Sequence, residues 1–179
     1  MAHVSHGHES GSAGGHTSKA TKGARPFSPE PPAPLWCLVQ LSPHFSLEEL
    51  TRTDTGLENV PNAGEVFHLT ALAAVLEQAR QILGDVPLHI NSGFRSLMVN
   101  SQVGGVHSSA HVDGRAADFV PIGVDLLDAF DLLRSTDSLP YDQIILEPSW
   151  IHLGIARDGD TPRRDQLVAL PGGTYRRTA

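Results

Sequence analysis

Apolar and polar positions repeat at two periods along this chain, and the changes of period divide it into elements. Leu69, Leu72, Val75, Leu76, Ala79, Ile82 and Leu83 recur at three- and four-residue intervals, the spacing of one helix face. They predict a helix over residues 66–83, ended by Gly84. Leu126, Leu127, Phe130 and Leu133 predict a second over residues 124–134. A shorter helix is expected at 46–52, where Ser46 and Glu49 have the capping-box spacing, and another at 97–103, before Gly104-Gly105. Period two takes over at 88–91, 115–120, 141–146 and 150–156, each read as a strand. Residues 53–64 carry Gly56, Asn59, Pro61, Asn62 and Gly64 and read as loop. After Arg157 the chain turns polar and Arg-rich, and it is expected to wrap the surface. Helices come first and strands interleave later across short connections that favour antiparallel pairing. The expected fold is α+β, one small domain with a central antiparallel sheet flanked by helices.

The first 34 residues break both periods. They are mostly Gly, Ser, His, Ala and Pro, with Val4 and Phe27 the large apolar side chains beyond Met1, too few to offset the entropy of ordering. Residues 1–34 are therefore expected to be a solvated tail and a stiff proline-rich linker, with the domain proper at 35–179. A sharper reading makes the tail an anchor that orders on a partner assembly, such as phage tail or baseplate proteins.

Charge divides the chain at the same point. The tail holds three cations against two carboxylates, whereas residues 35–179 hold ten Arg, no Lys and eighteen Asp or Glu. So acidic a body lacks the cations that neutralise phosphates, and nucleic acid is not an expected partner. The longest apolar run, residues 71–76, is far short of a bilayer span, so no membrane insertion is expected. No basic-then-apolar leader opens the chain. That leaves localisation open, since injected or virion-borne proteins reach the cell envelope without one. A lone cysteine, Cys37, excludes an internal disulfide framework and a cysteine-based zinc finger.

The residues that suggest chemistry lie in three strands and their turns. His111 precedes Asp118 by seven positions with Gly114 between, and Asp118 sits among Ala116, Ala117 and Phe119. A carboxylate there is costly to bury unless it is paired or bound to a metal. Further on, period two puts His152 on one face with Trp150, away from Ile151 and Leu153. Two imidazoles and one carboxylate suit a catalytic zinc, three ligands with a fourth position left for water. Glu147, at the end of the preceding strand, is the natural general base. Arg95, in the turn Asn91-Ser92-Gly93-Phe94-Arg95-Ser96, is placed to clamp a carboxylate or steady an oxyanion. Blander readings stand beside these. His111 and Asp118 also fit a hydrogen-bonded turn, Glu147 an exposed turn carboxylate, Arg95 an ordinary ion pair, and Trp150 a core position. Asp113 and Asp142 are alternative carboxylates, read as surface residues. The residues alone carry the reading as far as a mononuclear zinc hydrolase.

The segment Ser109-x-His111-x-x-Gly114-x-Ala116-x-Asp118 resembles, at every defined position, the SxHxxGxAxD signature of the zinc D-Ala-D-Ala carboxypeptidase family. That family belongs to a wider group that includes the hedgehog signalling domain. Ser92-Gly93-Phe94-Arg95-Ser96 and Glu147-x-x-Trp150-x-His152 extend the resemblance over about residues 40–156. The opening at residues 41–51 is similar to phage and prophage members. The resemblance implies zinc on His111, Asp118 and His152, Glu147 as catalytic base, and Arg95 as the substrate-positioning arginine. Ser109 would line the pocket and Trp150 would meet substrate. It also implies a small α+β domain whose antiparallel sheet carries the ligands, and an activity on D-amino-acid-containing peptides of bacterial peptidoglycan. The expected function is a zinc metallopeptidase, D,D-carboxypeptidase or cross-link endopeptidase. A different class competes: a zinc-containing cell-wall-binding or structural module of a virion, docked through its tail.

Overall fold

The computed structural model describes residues 39–178, and the tail and linker expected at 1–34 lie outside them. The described chain forms four helices and six strands: α1 (Leu47–Thr51), α2 (Ala63–Ile82), β1 (Leu88–Ser92), α3 (Leu97–Gln102), β2 (Ala116–Pro121), α4 (Leu126–Ser135), β3 (Gln143–Leu146), β4 (Ile151–Gly154), β5 (Asp165–Leu170) and β6 (Thr174–Arg177). The α+β class agrees with the sequence reading.

Each helix begins where a side chain satisfies its free amides. Ser46 accepts from the Glu49 amide at α1, Ser96 from Val99 at α3, and Asp125 from Leu127 and Asp128 at α4. At α2, Asn62 accepts from the Gly64 and Glu65 amides while the Glu65 carboxylate accepts from the Asn62 amide. This reciprocal box starts the helix three residues earlier than periodicity predicts, inside the segment read as loop. The glycine and proline there obscured an Asn-x-x-Glu signal.

The strands make one sheet in the order β1-β2-β4-β3-β5-β6. The ladders β1–β2, β2–β4 and β4–β3 are antiparallel, as expected. Two expectations need correction. The sheet is mixed, because β5 runs parallel to β3, and residues after Arg157 do not simply wrap the surface but add β5 and β6 to the sheet edge. The hairpin turn sends β4 back antiparallel to β3. The chain then crosses the end of β3 and runs beside it in the same direction.

The two faces of the sheet have different duties. Ala117, Phe119, Ile144, Ile151 and Leu153 point into the core, each fully buried with Leu69, Leu72 and Leu76 of α2 and Phe130 and Leu133 of α4. At roughly 1.5–3 kcal/mol for each large apolar side chain removed from water, this layer is the main stabilising element. The register sets Ser92, Asp118, His152, Ile145, Leu167 and Arg177 in one row on the opposite face. That row carries the site.

Candidate metal centre

Asp118 and His152 are direct cross-strand partners on β2 and β4, so the antiparallel register alone brings them together. His111 arrives from the turn preceding β2. Two glycines allow it to do so. Gly114 has φ +69°, and a Cβ there would stand 2.8 Å from the Glu65 carbonyl of α2. Gly93 lies so close to α1 that a Cβ would stand 2.3 Å from the Leu50 carbonyl, while the next amide, Phe94, donates to that same carbonyl at 2.7 Å. With Gly93 seated, its own carbonyl accepts a hydrogen bond from His111 Nδ1 at 2.7 Å.

That bond sets the chemistry of the site. A carbonyl can only accept, so His111 carries its proton on Nδ1 and turns the Nε2 lone pair inward. Nε2 lies 3.3 Å from Asp118 Oδ1 and 3.2 Å from His152 Nδ1, and His152 Nδ1 lies 2.8 Å from the same oxygen. Three donor atoms thus converge from three separate stretches of chain. One shared proton satisfies only part of the set, leaving acceptor facing acceptor, whereas a divalent cation satisfies all three. Tetrahedral ligands at about 2.0–2.1 Å from zinc stand roughly 3.3 Å apart, close to the spacings here. The residues fit zinc.

Burial and charge prepare them. His111 is 3% and Asp118 6% exposed. Burial is the largest influence on His111 and pushes its pKa down, so the ring stays neutral. Burial would raise the Asp118 pKa, but His111 and His152 outweigh it and hold the carboxyl well below the usual carboxylate range. Neutral imidazole and ionised carboxylate are the forms a metal requires.

Arg95 meets the carboxylate from its other side. Its Nη2 donates to Asp118 Oδ2 at 2.5 Å and its Nε to Ser92 Oγ at 2.8 Å. The arginine therefore forms an ion pair, with the very acid that faces the histidines, and leaves Oδ1 to the centre. Nη1 has no hydrogen bond to a described residue, and Arg95 lines the cleft over the centre.

That cleft encloses about 770 Å³. Ser109, Glu147 and Trp150 line it together with the three converging side chains. Glu147 and Trp150 form the last pair of the β3–β4 hairpin, joined by Glu147 N–H donating to the Trp150 carbonyl at 3.0 Å. Trp150 is half-buried at the cleft rather than in the core. Ser109 Oγ accepts from the His111 amide at 3.4 Å, tying the loop to the converging histidine. The set-aside carboxylates lie elsewhere: Asp142 pairs with Arg163 at 2.6 Å, and Asp113 stands 3.6 Å from Arg157. Tyr175, on β6, was not foreseen. Its hydroxyl donates to Glu147 Oε1 at 3.1 Å. Period two gives no hint of this contact, which depends on a hairpin the sequence did not reveal.

Residues 43–154 match the Peptidase M15 family model. The chain belongs to the Peptidase M15 family. A stretch of 77 residues is 35% identical to a protein named zinc D-Ala-D-Ala carboxypeptidase from Streptomyces albus G. The match takes in 42% of this chain and 30% of that relative's length. The family segment contains every residue of the converging set and Glu147. It stops before β5 and β6.

Proposed function

We propose that this M15 member is a zinc peptidase that hydrolyses D-amino-acid-containing peptide bonds of bacterial peptidoglycan. One observation carries the reading: His111 Nε2, Asp118 Oδ1 and His152 Nδ1 converge in a cleft that Glu147 and Arg95 also line. The named activity of the carboxypeptidase relative supports the substrate class.

Zinc, when bound, polarises a substrate carbonyl and brings the pKa of adjacent water to about 7. The chain's residues do the rest. Gly93 fixes the His111 tautomer, and Arg95 orients the Asp118 carboxylate, as partners beyond the ligands commonly do. Glu147 takes the proton of the attacking water on a carboxylate oxygen and returns it to the departing amine. The Nη1 group of Arg95 holds the peptide or the oxyanion of the tetrahedral intermediate. Ser109 and Trp150 contact the stem peptide along the wall. Glu147 and Arg95 both stand in the cleft, which favours catalysis over a binding-only module.

The test is digestion of purified peptidoglycan followed by mass spectrometry of the muropeptides. New amino groups or free D-Ala are expected, with none after chelation. Loss of terminal D-Ala identifies a carboxypeptidase and separation of cross-linked dimers an endopeptidase. Wall that is bound but left intact would overturn the reading. A virion-borne role would show as the chain co-purifying with phage particles.

A further inference from the structure

The hairpin formed by β5 and β6 lies beyond the family segment, which ends at residue 154, yet it reaches the cleft. Leu167 of β5 and Tyr175 of β6 line it beside Glu147. The ladders explain how. Leu146 pairs with Val168 and Ala169 pairs with Tyr175, so Glu147, one residue past β3, continues the row beside Ala169. Alanine is short enough for the Tyr175 ring to pass over it to the carboxylate. The hairpin is pinned at its open end, where Arg177 Nη1 lies 2.7 Å from Asp165 Oδ1. The Thr178 amide donates to the Gln166 carbonyl at 3.0 Å.

We propose that Tyr175 is a positioning residue for Glu147, brought to the cleft by this C-terminal hairpin. The inference rests on the reading of Glu147 as the general base. A carboxylate on a hairpin tip rotates freely unless something holds it. The Tyr175 hydroxyl holds Oε1, and Oε2 has no hydrogen bond to a described residue, which leaves that oxygen for the water proton. Burial first, then the charges of Glu147 and Asp118, raise the Tyr175 pKa above its ordinary value. The phenol therefore remains a donor across the neutral range.

The experiment compares the zinc-loaded full chain with Tyr175→Phe, Glu147→Gln and the double variant, on soluble muropeptides found to be cleaved in the digest. Tyr175 is 52% exposed, and phenylalanine keeps the ring, so folding is not at stake. Tyr175→Phe is expected to lower kcat about tenfold, the size of a hydrogen bond to a charged group, with KM and zinc content unchanged. Added to Glu147→Gln it should have no further effect, because the two act as a unit. A second readout is independent of turnover. Of the two tyrosines, Tyr141 is fully buried and donates to the Arg134 carbonyl, so phenolate absorbance on raising the pH reports Tyr175. Glu147→Gln should move that titration to lower pH.

Wild-type kcat in Tyr175→Phe beside an inactive Glu147→Gln would overturn the positioning role and leave the base reading standing. Additive losses in the double variant, or an unmoved phenol titration, would also overturn it. Full turnover by Glu147→Gln would fail the base assignment itself and this inference with it.

Discussion

Gly93 shows how one missing side chain can govern a site. Its hydrogen lies against the Leu50 carbonyl, and its own carbonyl decides which His111 nitrogen faces inward. Gly93→Ala forces a methyl to within 2.3 Å of backbone, an overpacking that costs about 1–3 kcal/mol. Zinc affinity should fall with stability in this variant, read by thermal melts and metal titration. A variant that melts lower but binds zinc as the wild type does would separate the two roles. Glu147 makes a complementary case, since the ligands do not depend on it. Glu147→Gln should keep close to one zinc per chain while turnover drops at least about 100-fold, checked by metal analysis and muropeptide release. Much of this scale was legible from residue types: three donors, a carboxylate and an arginine in recognisable spacing meet at one cleft. Tyr175 was not, because a lone tyrosine among arginines carries no signal until a strand places it.

At the scale of elements, the long helix α2 is tied to the segment before α1 by Glu77. Its carboxylate accepts from Ser42 Oγ and the His44 amide at 2.8 Å and lies 2.9 Å from His44 Nδ1. Burial works against the ionised form, but these partners outweigh it and hold the Glu77 pKa below its ordinary value of 4.5. A depressed folded-state pKa stabilises the protein above the unfolded value and loses that contribution as pH falls through the folded one. Glu77→Gln should therefore cost about 1 kcal/mol at neutral pH, and the gap to wild type should close below pH 4.5 in denaturant titrations. The helices α2 and α4 and the strand β1 were readable because each has one buried and one open face. The strands β5 and β6 were not. β5 is mostly half-buried on both faces and every residue of β6 is exposed, so neither alternates, and the parallel β3–β5 ladder joins segments that no local pattern relates.

At the scale of the molecule, and among the described residues, the core, the cleft and the converging side chains are built from Leu41 onward. A fragment of residues 35–179 should then melt close to the full chain and digest peptidoglycan at a comparable rate. If the tail is an anchor, the fragment should fail to join a phage particle that takes up the full chain. None of the helices among the described residues is long and apolar enough to cross a membrane.

The proposed hydrolysis depends on one cation held by side chains from three places in the sequence. Zinc-edge anomalous diffraction from metal-loaded crystals tests this most directly. A single peak is predicted at about 2.0–2.2 Å from His111 Nε2, Asp118 Oδ1 and His152 Nδ1. No peak there, or one held by other side chains, would contradict it.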